Sequence, residues 1–385
     1  MTATRMDVQA RDAVAEVCAV ADDEAGAADE AASFPVETVG AMRRTGLLGL
    51  MVPMEFGGGG GSLADLAAAT VALGRSDTSV AMIFAMHCQQ LVALDRFGPD
   101  ELRRRVLPAV AAGEVYLASV TTETGKGGNL LMSESATTAR DGWVHIDRTA
   151  PIVTGGEHAE GFLVTVQTPD ATSPSQVDLV FAERDQLELE VLGGWQPLGM
   201  RATRSVPMRL VGDVPWEQRI GEPGGFRTIV ATTFGPLAHV GWAAAWLGAA
   251  AGACSRVVSH LRREHVDPSS ELQLTRLATT RARLDVVRAL LAHTISVLDS
   301  WDDPAATPVQ LLVNTLKVRA AEECFAAVDE LVELVGLRHG YLPDSPLRLE
   351  RAFRDLRSAS LNYANARLLL ANGSLALRDT EVRLA

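Results

Sequence analysis

Cysteine is scarce in this chain of 385 residues: Cys18, Cys88, Cys254 and Cys324 stand far apart, with no CxxC pair. Such spacing supports neither a zinc site nor a disulfide framework, and four buried, reduced thiols are the expectation. The eight histidines are scattered too, without HxxxH or HExxH spacing, which argues against a metal enzyme. Basic charge is the next deficit. Lys and Arg total 35 against 48 Asp and Glu, a formal net charge of −13, whereas nucleic-acid binding normally shows a basic face. No apolar run is expected to span a bilayer, because the most apolar segment, Val240 to Cys254, is short and rich in Ala and Gly. The N-terminus has neither the basic start nor the apolar run of a secretory signal. A soluble, cytoplasmic protein with no membrane and no nucleic-acid partner is therefore expected. At 47% hydrophobic and 22% charged, the chain can bury sizeable cores, and its length suits two or three domains.

The hydrophobic period changes twice along the chain. From Asp7 to about Gly113 it is helical, with units through Val36 to Leu48, Leu63 to Leu73, the nearly continuous apolar Ser79 to Leu94, and Pro99 to Ala112. The last unit turns Arg103, Arg104 and Arg105 outward and Leu102, Val106 and Val110 inward. Between Val115 and Trp216 the period drops to two. Strands are predicted at Trp143 to Ile146, after an Asp141-Gly142 turn, and at Phe162 to Val166, Val177 to Phe181, Leu187 to Val191 and Val206 to Val211. From Gly224 onward the pattern is helical again. Leu277, Leu284, Val287, Leu291, Ile295 and Leu298 share one helical face, and Thr307-Pro308-Val309-Gln310 reads as a capped helix start with Gln310 reaching back. Short connections at Val266 to Ser270 and Trp301 to Ala306 make these helices antiparallel neighbours. The predicted fold class is α+β: a helical domain over 1–117, an antiparallel β-barrel or sandwich over 118–218, and an antiparallel helical bundle over 219–385.

Three glycine-bearing segments stand out. Gly57 to Gly61 lacks the GxxxxGK[ST] order of a phosphate loop and reads as a turn before a helix at Ser62. Thr122-Glu123-Thr124-Gly125-Lys126-Gly127-Gly128-Asn129 and Pro151-Ile152-Val153-Thr154-Gly155-Gly156 would let backbone amides approach a planar or phosphate-bearing ligand closely.

Taken in order, the segments resemble the acyl-CoA dehydrogenase superfamily of flavoproteins. Gly46 to Gly58, reading GLLGLMVPMEFGG, is similar to its "GL-x-VP-x-E-(Y/F)-GG" segment, and Arg96-Phe97-Gly98 through Leu107-Pro108 to Gly113-Glu114 is similar to the helix that follows. Thr122 to Gly127 stands where the family has "TEPGAG", Ile152 to Gly156 where it has "WITNG", and Leu198-Gly199-Met200-Arg201 matches "LGMR". Gly336 to Tyr341 and Arg354-Asp355-Leu356-Arg357 resemble the closing "GG-x-GY" and "RDAR". The resemblance implies a flavin, FAD in preference to FMN, between the β domain and the C-terminal helices. It implies Thr121 and Thr122 beside the isoalloxazine, Ile152 in place of the Trp that covers it, and Thr154 near its N5. It also implies a homodimer or homotetramer.

Several departures bear on the reaction. Dehydrogenases of the family use a carboxylate base over the flavin, usually in a "YEGT" segment after "RDAR". Here the ungapped continuation, Ser358 to Asn365, puts Tyr363 at the Glu position, and the other place where members carry the base, Thr232 to Ala238, holds no acid. A Tyr, with an ordinary pKa of about 10, is a poor base at neutral pH. The Arg that holds the acyl thioester is absent, "R-x-x-FG" is replaced by Arg263-Glu264-His265-Val266-Asp267, and Gly128 replaces the Ser of "GAGS". The expected activity is that of a flavin monooxygenase on this fold, taking reduced flavin from a separate reductase and oxygenating a small organic molecule in a dry, apolar pocket. Tyr363 is the expected catalytic residue, with His87 and Asn362 as pocket neighbours. The alternatives are a dehydrogenase for an acyl-CoA or carrier-protein thioester with a non-standard base, and a flavin-less binding or scaffold protein.

Overall fold

The computed structural model describes residues 6–124, 129–135, 137–264 and 270–385. The expectations placed on Gly125 to Gly128, on His265-Val266-Asp267 and on most of the Val266 to Ser270 connection lie outside the described residues. The first layer is helical: α1 (Val8–Ala31), α2 (Val36–Arg44), α3 (Leu63–Ser76), α4 (Thr78–Phe97) and α5 (Asp100–Ala111). The caps follow from local chemistry. Asp7 accepts from the Ala10 amide, Asp77 from the Val80 amide, and Ser62 with Asp65 forms a reciprocal capping box at α3. Helix α4 is buried on every side from Thr78 to Leu94 except at Met86, so it forms the axis of the molecule.

The middle layer holds β1 (Leu117–Val120), β2 (Thr138–Arg140), β3 (Trp143–Thr154), β4 (Gly161–Gln167), β5 (Val177–Glu183), β6 (Leu187–Val191), β7 (Ser205–Pro215) and β8 (Arg219–Ile220). They form two four-stranded sheets, ordered β1-β4-β5-β8 and β2-β3-β7-β6, whose inward residues, such as Ile146 and Val164, share one core. This is the expected sandwich with one correction: β1 and β4 pair parallel, Leu117 opposite Gly161. A parallel pair needs a crossover connection, and here that connection includes β2 and β3 of the opposite sheet.

The last layer contains α6 (Phe226–Ile229), a π-helical turn (Val230–Phe234), α7 (Gly235–Arg263), α8 (Glu271–Ser300), α9 (Thr307–Gly336), α10 (Leu349–Arg357) and α11 (Asn365–Ala376). Helix α7 packs on α3, α4, α8 and α9. Its small residues allow close backbone approach: a Cβ at Gly248 would fall 2.3 Å from the Val71 carbonyl oxygen. The span Phe226–Arg263 is long and apolar enough to cross a membrane, contrary to the expectation, but 83% of its most apolar window is buried inside the protein. Two smaller expectations also change. Thr307 is the first helical residue and caps nothing, while Gln310 donates instead to the carbonyls of Pro304 and Ala231. Cys18 and Cys254 are only half-buried, unlike Cys88 and Cys324.

The β layer and the C-terminal helices meet where two of the motif segments touch. The Met200 amide donates to Asp355 Oδ1 at 2.6 Å. Gly199 lies so close to α10 that an added Cβ would sit 2.2 Å from the Arg354 carbonyl carbon and oxygen. Arg354 itself pairs with Asp29 at 2.6 Å and donates to the Leu198 carbonyl at 2.9 Å, tying α1 into the same junction. Asp355 is fully buried, and burial together with the nearby Asp77 pushes its carboxyl up to about 7 despite the Met200 bond and Arg351.

Two outcomes are expected. Gly199→Ala should lower unfolding stability by about 1–3 kcal/mol through overpacking, read as an earlier urea midpoint; an unchanged midpoint would show that the junction can spread at no cost. Asp355 has a folded pKa above its unfolded value of about 4, so its neutral form stabilises at low pH and that contribution is lost as pH rises through about 7. Asp355→Asn keeps an oxygen for the Met200 amide and should gain stability relative to wild type between pH 4 and pH 8, by on the order of 2 kcal/mol. Parallel stability-versus-pH curves would refute this.

Candidate active site

The strand β3 alternates strictly, with Val144, Ile146, Arg148 and Ala150 inward, until its register with β7 shifts between Ala150 and Val153. Pro151 has no amide to give the ladder, and a bulge at that point re-aims the residues that follow. Ile152 turns outward and is 45% exposed, while Thr154 turns in and is 7% exposed. The freed Ile152 carbonyl accepts from Thr122 Oγ1 at 2.9 Å. Two sequence-predicted segments 30 residues apart are thereby joined directly. Thr121 lies beside them, its Oγ1 3.3 Å from Ser119 Oγ.

Beneath Thr122 sits a pair that sequence reasoning missed. Arg148 is 0% exposed and pairs with Glu123 at 2.7 Å; it also donates to the Thr122 carbonyl and to Ser135 Oγ, each at 2.9 Å. Burial alone would raise the Glu123 carboxyl, but the Arg148 charge, with bonds from Arg148, Ser135 and the Glu134 amide, holds it down at about 2. The signal was present, since the alternation of β3 places Arg148 on the buried face. Thr154 Oγ1 lies 2.9 Å from Ser205 Oγ, and Ser205 lies 2.8 Å from Thr203 Oγ1, which donates to the Met200 carbonyl at 2.8 Å. A chain of three hydroxyls thus runs from Thr154 to the residue that docks on Asp355.

Tyr363 stands in a second cluster, in the reversal between α10 and α11. Its backbone has φ +45°, a left-handed conformation uncommon for a bulky residue. Its ring lies 6.4 Å from that of His239 on α7, with the Arg367 guanidinium 5.9 Å from the ring centre. Burial raises the phenol above its ordinary value, partly opposed by Arg367, so it is protonated at neutral pH. His239 is pushed down to about 3 by burial and by the charge of Lys317, against a hydrogen bond that it donates to the Val313 backbone, and is neutral. Of the two side chains that meet the Tyr363 ring, His239 is neutral and Arg367 cationic. Asn362 is half-buried beside Tyr363, its amide donating to the Ser358 carbonyl at 2.9 Å.

His87 needs correction as a pocket neighbour. It is 0% exposed, with Nε2 3.0 Å from the Leu48 carbonyl and Nδ1 accepting from the Leu117 amide at 3.1 Å. Both ring nitrogens are committed to backbone, and burial lowers its pKa to about 4. It is a structural tie between α4 and β1. The stretch Thr232 to Ala238 begins inside the π-helical turn, whose displaced carbonyls are taken up by glutamines: Gln89 donates to Phe234 at 2.7 Å and Gln310 to Ala231 at 3.0 Å. Such turns recur at functional sites.

Comparison with known proteins agrees with the three-layer fold. Residues 4–114 match the acyl-CoA dehydrogenase N-terminal domain and residues 225–362 its C-terminal domain. Isobutyryl-CoA dehydrogenase of Dictyostelium discoideum is 27% identical over 340 residues, covering 86% of this chain and 78% of that protein. The amino sugar nitrososynthase DnmZ of Streptomyces peucetius is 26% identical over 359 residues, covering 87% of this chain and 84% of that protein. The dibenzothiophene monooxygenase TdsC of Paenibacillus sp. A11-2, solved with FMN and indole, superposes with a TM-score of 0.87 at 22% identity over 98% of each chain. With both domain matches in order along one three-layer fold, the chain belongs to the acyl-CoA dehydrogenase superfamily of flavoproteins.

Proposed function

We propose that this protein is a flavin-dependent monooxygenase acting on a small organic molecule, with Tyr363 as a catalytic proton donor and a separate reductase supplying reduced flavin. One observation carries the reading. At the position that the family resemblance assigns to the dehydrogenase carboxylate, Tyr363 carries a protonated phenol, its ring lies near His239 and the Arg367 guanidinium, and its main-chain carbonyl accepts from Lys317. Abstraction of a proton α to a thioester needs a base, and this surrounding favours the opposite role. TdsC, a monooxygenase on this fold, and the nitrososynthase DnmZ lend the reading support.

The residues present fit a flavin. Thr122 has committed its hydrogen to the Ile152 carbonyl and Thr154, at the head of the hydroxyl chain, has committed its own to Ser205, so both offer lone pairs as acceptors. Beside them the exposed Ile152 side chain offers an apolar face for a ring, and the buried Arg148–Glu123 pair holds the Thr122 segment from below. FAD is favoured over FMN by the family resemblance, and a homodimer or homotetramer is part of the same reading. A bound reduced flavin would supply two electrons to O₂, one oxygen atom going to the substrate and the other leaving as water. Tyr363 would donate a hydrogen bond to a developing oxygen anion, which an ionised carboxylate cannot do.

The direct experiment supplies reduced flavin through an NADPH-dependent reductase in air, with indole as the probe and labelled oxygen gas. Label in the product supports the reading; flavin turnover with no label in any product overturns it. Tyr363→Phe should lower that turnover on the order of 10²-fold while leaving flavin affinity and melting temperature nearly unchanged. A change in stability alone would remove Tyr363 from the mechanism. Thr122→Val combined with Thr154→Val should weaken flavin binding by about 1–3 kcal/mol, measured by fluorescence titration, because polar ring atoms would be stranded. Unchanged affinity would place the flavin elsewhere.

A further inference from the structure

Lys317 lies on α9, outside every motif of the family resemblance, and its side chain is 0% exposed. An ammonium so deeply buried costs several kcal/mol unless it is well hydrogen-bonded. Its partners are oxygens of neutral groups: the Ala359 carbonyl at 3.0 Å, the Tyr363 carbonyl at 3.2 Å and Asn365 Oδ1 at 2.8 Å. All three acceptors belong to the reversal that carries Tyr363. The fourth contact is the Trp246 ring, 5.6 Å from Nζ. One buried cation therefore closes the 359–365 segment from inside the bundle. That segment needs closing, because a left-handed Tyr is disfavoured by about 1–2 kcal/mol, and its inward carbonyls would otherwise be unpaired.

We propose that Lys317 is a positioning residue for Tyr363, its ammonium holding the 359–365 reversal in the one shape that sets the phenol beside His239. The proposal rests on the role given to Tyr363 above. The groups facing Lys317 are His239 from α7, Tyr363 from the reversal, and Glu322 on α9 itself, with Arg367 of α11 on the Tyr363 ring beyond. Burial brings the Lys317 ammonium down to about 8, with Glu322 opposing. Loss of that proton removes one donor and the charge, so the hold should slacken as pH rises through about 8, where Tyr363 remains protonated.

The chain has three tyrosines, so the near-ultraviolet circular dichroism of wild type minus Tyr363→Phe isolates the Tyr363 band, with no flavin or turnover required. In Lys317→Met the band should be lost while the far-ultraviolet spectrum stays native. In wild type the band should fade as pH rises through about 8, in step with the Trp emission change that reports Lys317 losing its proton. A native-like Lys317→Met that keeps the Tyr363 band overturns the proposal. If that variant does not fold, the wild-type titration decides: an unchanged band across the Trp transition overturns it equally. In turnover, Lys317→Met should cost at least 10-fold in wild type and nothing further in the Tyr363→Phe background; additive losses would show that Lys317 acts elsewhere. The optical readout stands whether or not oxygenation occurs, so failure of the reaction reading is distinguishable from failure of this one.

Discussion

The contact between the Met200 amide and the Asp355 carboxyl sets the relation of the two halves of the site. It joins residues 155 apart in sequence, at 2.6 Å, in a place where no side chain fits between Gly199 and the α10 backbone. From Met200 the hydroxyls of Thr203 and Ser205 lead to Thr154. From Asp355 the chain runs eight residues, through one reversal, to Tyr363. The strand that carries Thr154 and the reversal that carries Tyr363 are thus referenced to a single buried hydrogen bond, and a shift at the junction is passed to both.

Charge is distributed unevenly around that frame. On the β side, Arg148, the one buried cation among the described residues there, is matched by Glu123, so the segment below Thr122 is locked and nearly neutral. On the helical side, Lys317 is buried among carbonyls, an amide oxygen and an aromatic ring. Burial, aided by the charge of Lys317, keeps His239 neutral, and Lys317 with Arg367 gives the surroundings of Tyr363 a positive bias. Such a field favours an anion forming near the phenol and disfavours a cationic substrate. It is the electrostatic counterpart of the proposed replacement of a carboxylate by a tyrosine.

Much of this was legible in the chain itself. The switch of period from helical to two and back located the three layers, because each layer buries one face at its own spacing. The motif segments located the places where the layers touch, Thr122 with Ile152 and Gly199-Met200 with Arg354-Asp355, because close backbone approach demands particular residues in fixed order. What the sequence hid is instructive. Lys317 looks like a surface charge until tertiary packing buries it, whereas the burial of Arg148 could be read from the alternation of β3. His87 looked available until its ring nitrogens were found bonded to Leu48 and Leu117. The parallel β1–β4 pair and the π-helical turn depend on long-range connection and on glutamines from other helices, which no local pattern announces.

The central claim is that this site no longer holds a base for dehydrogenation. Anaerobic mixing of the flavin-loaded protein with butyryl-CoA tests it most directly, by following the oxidised flavin absorbance. The account predicts that the absorbance persists; rapid bleaching would contradict it and place a carboxylate over the ring that Tyr363 does not replace.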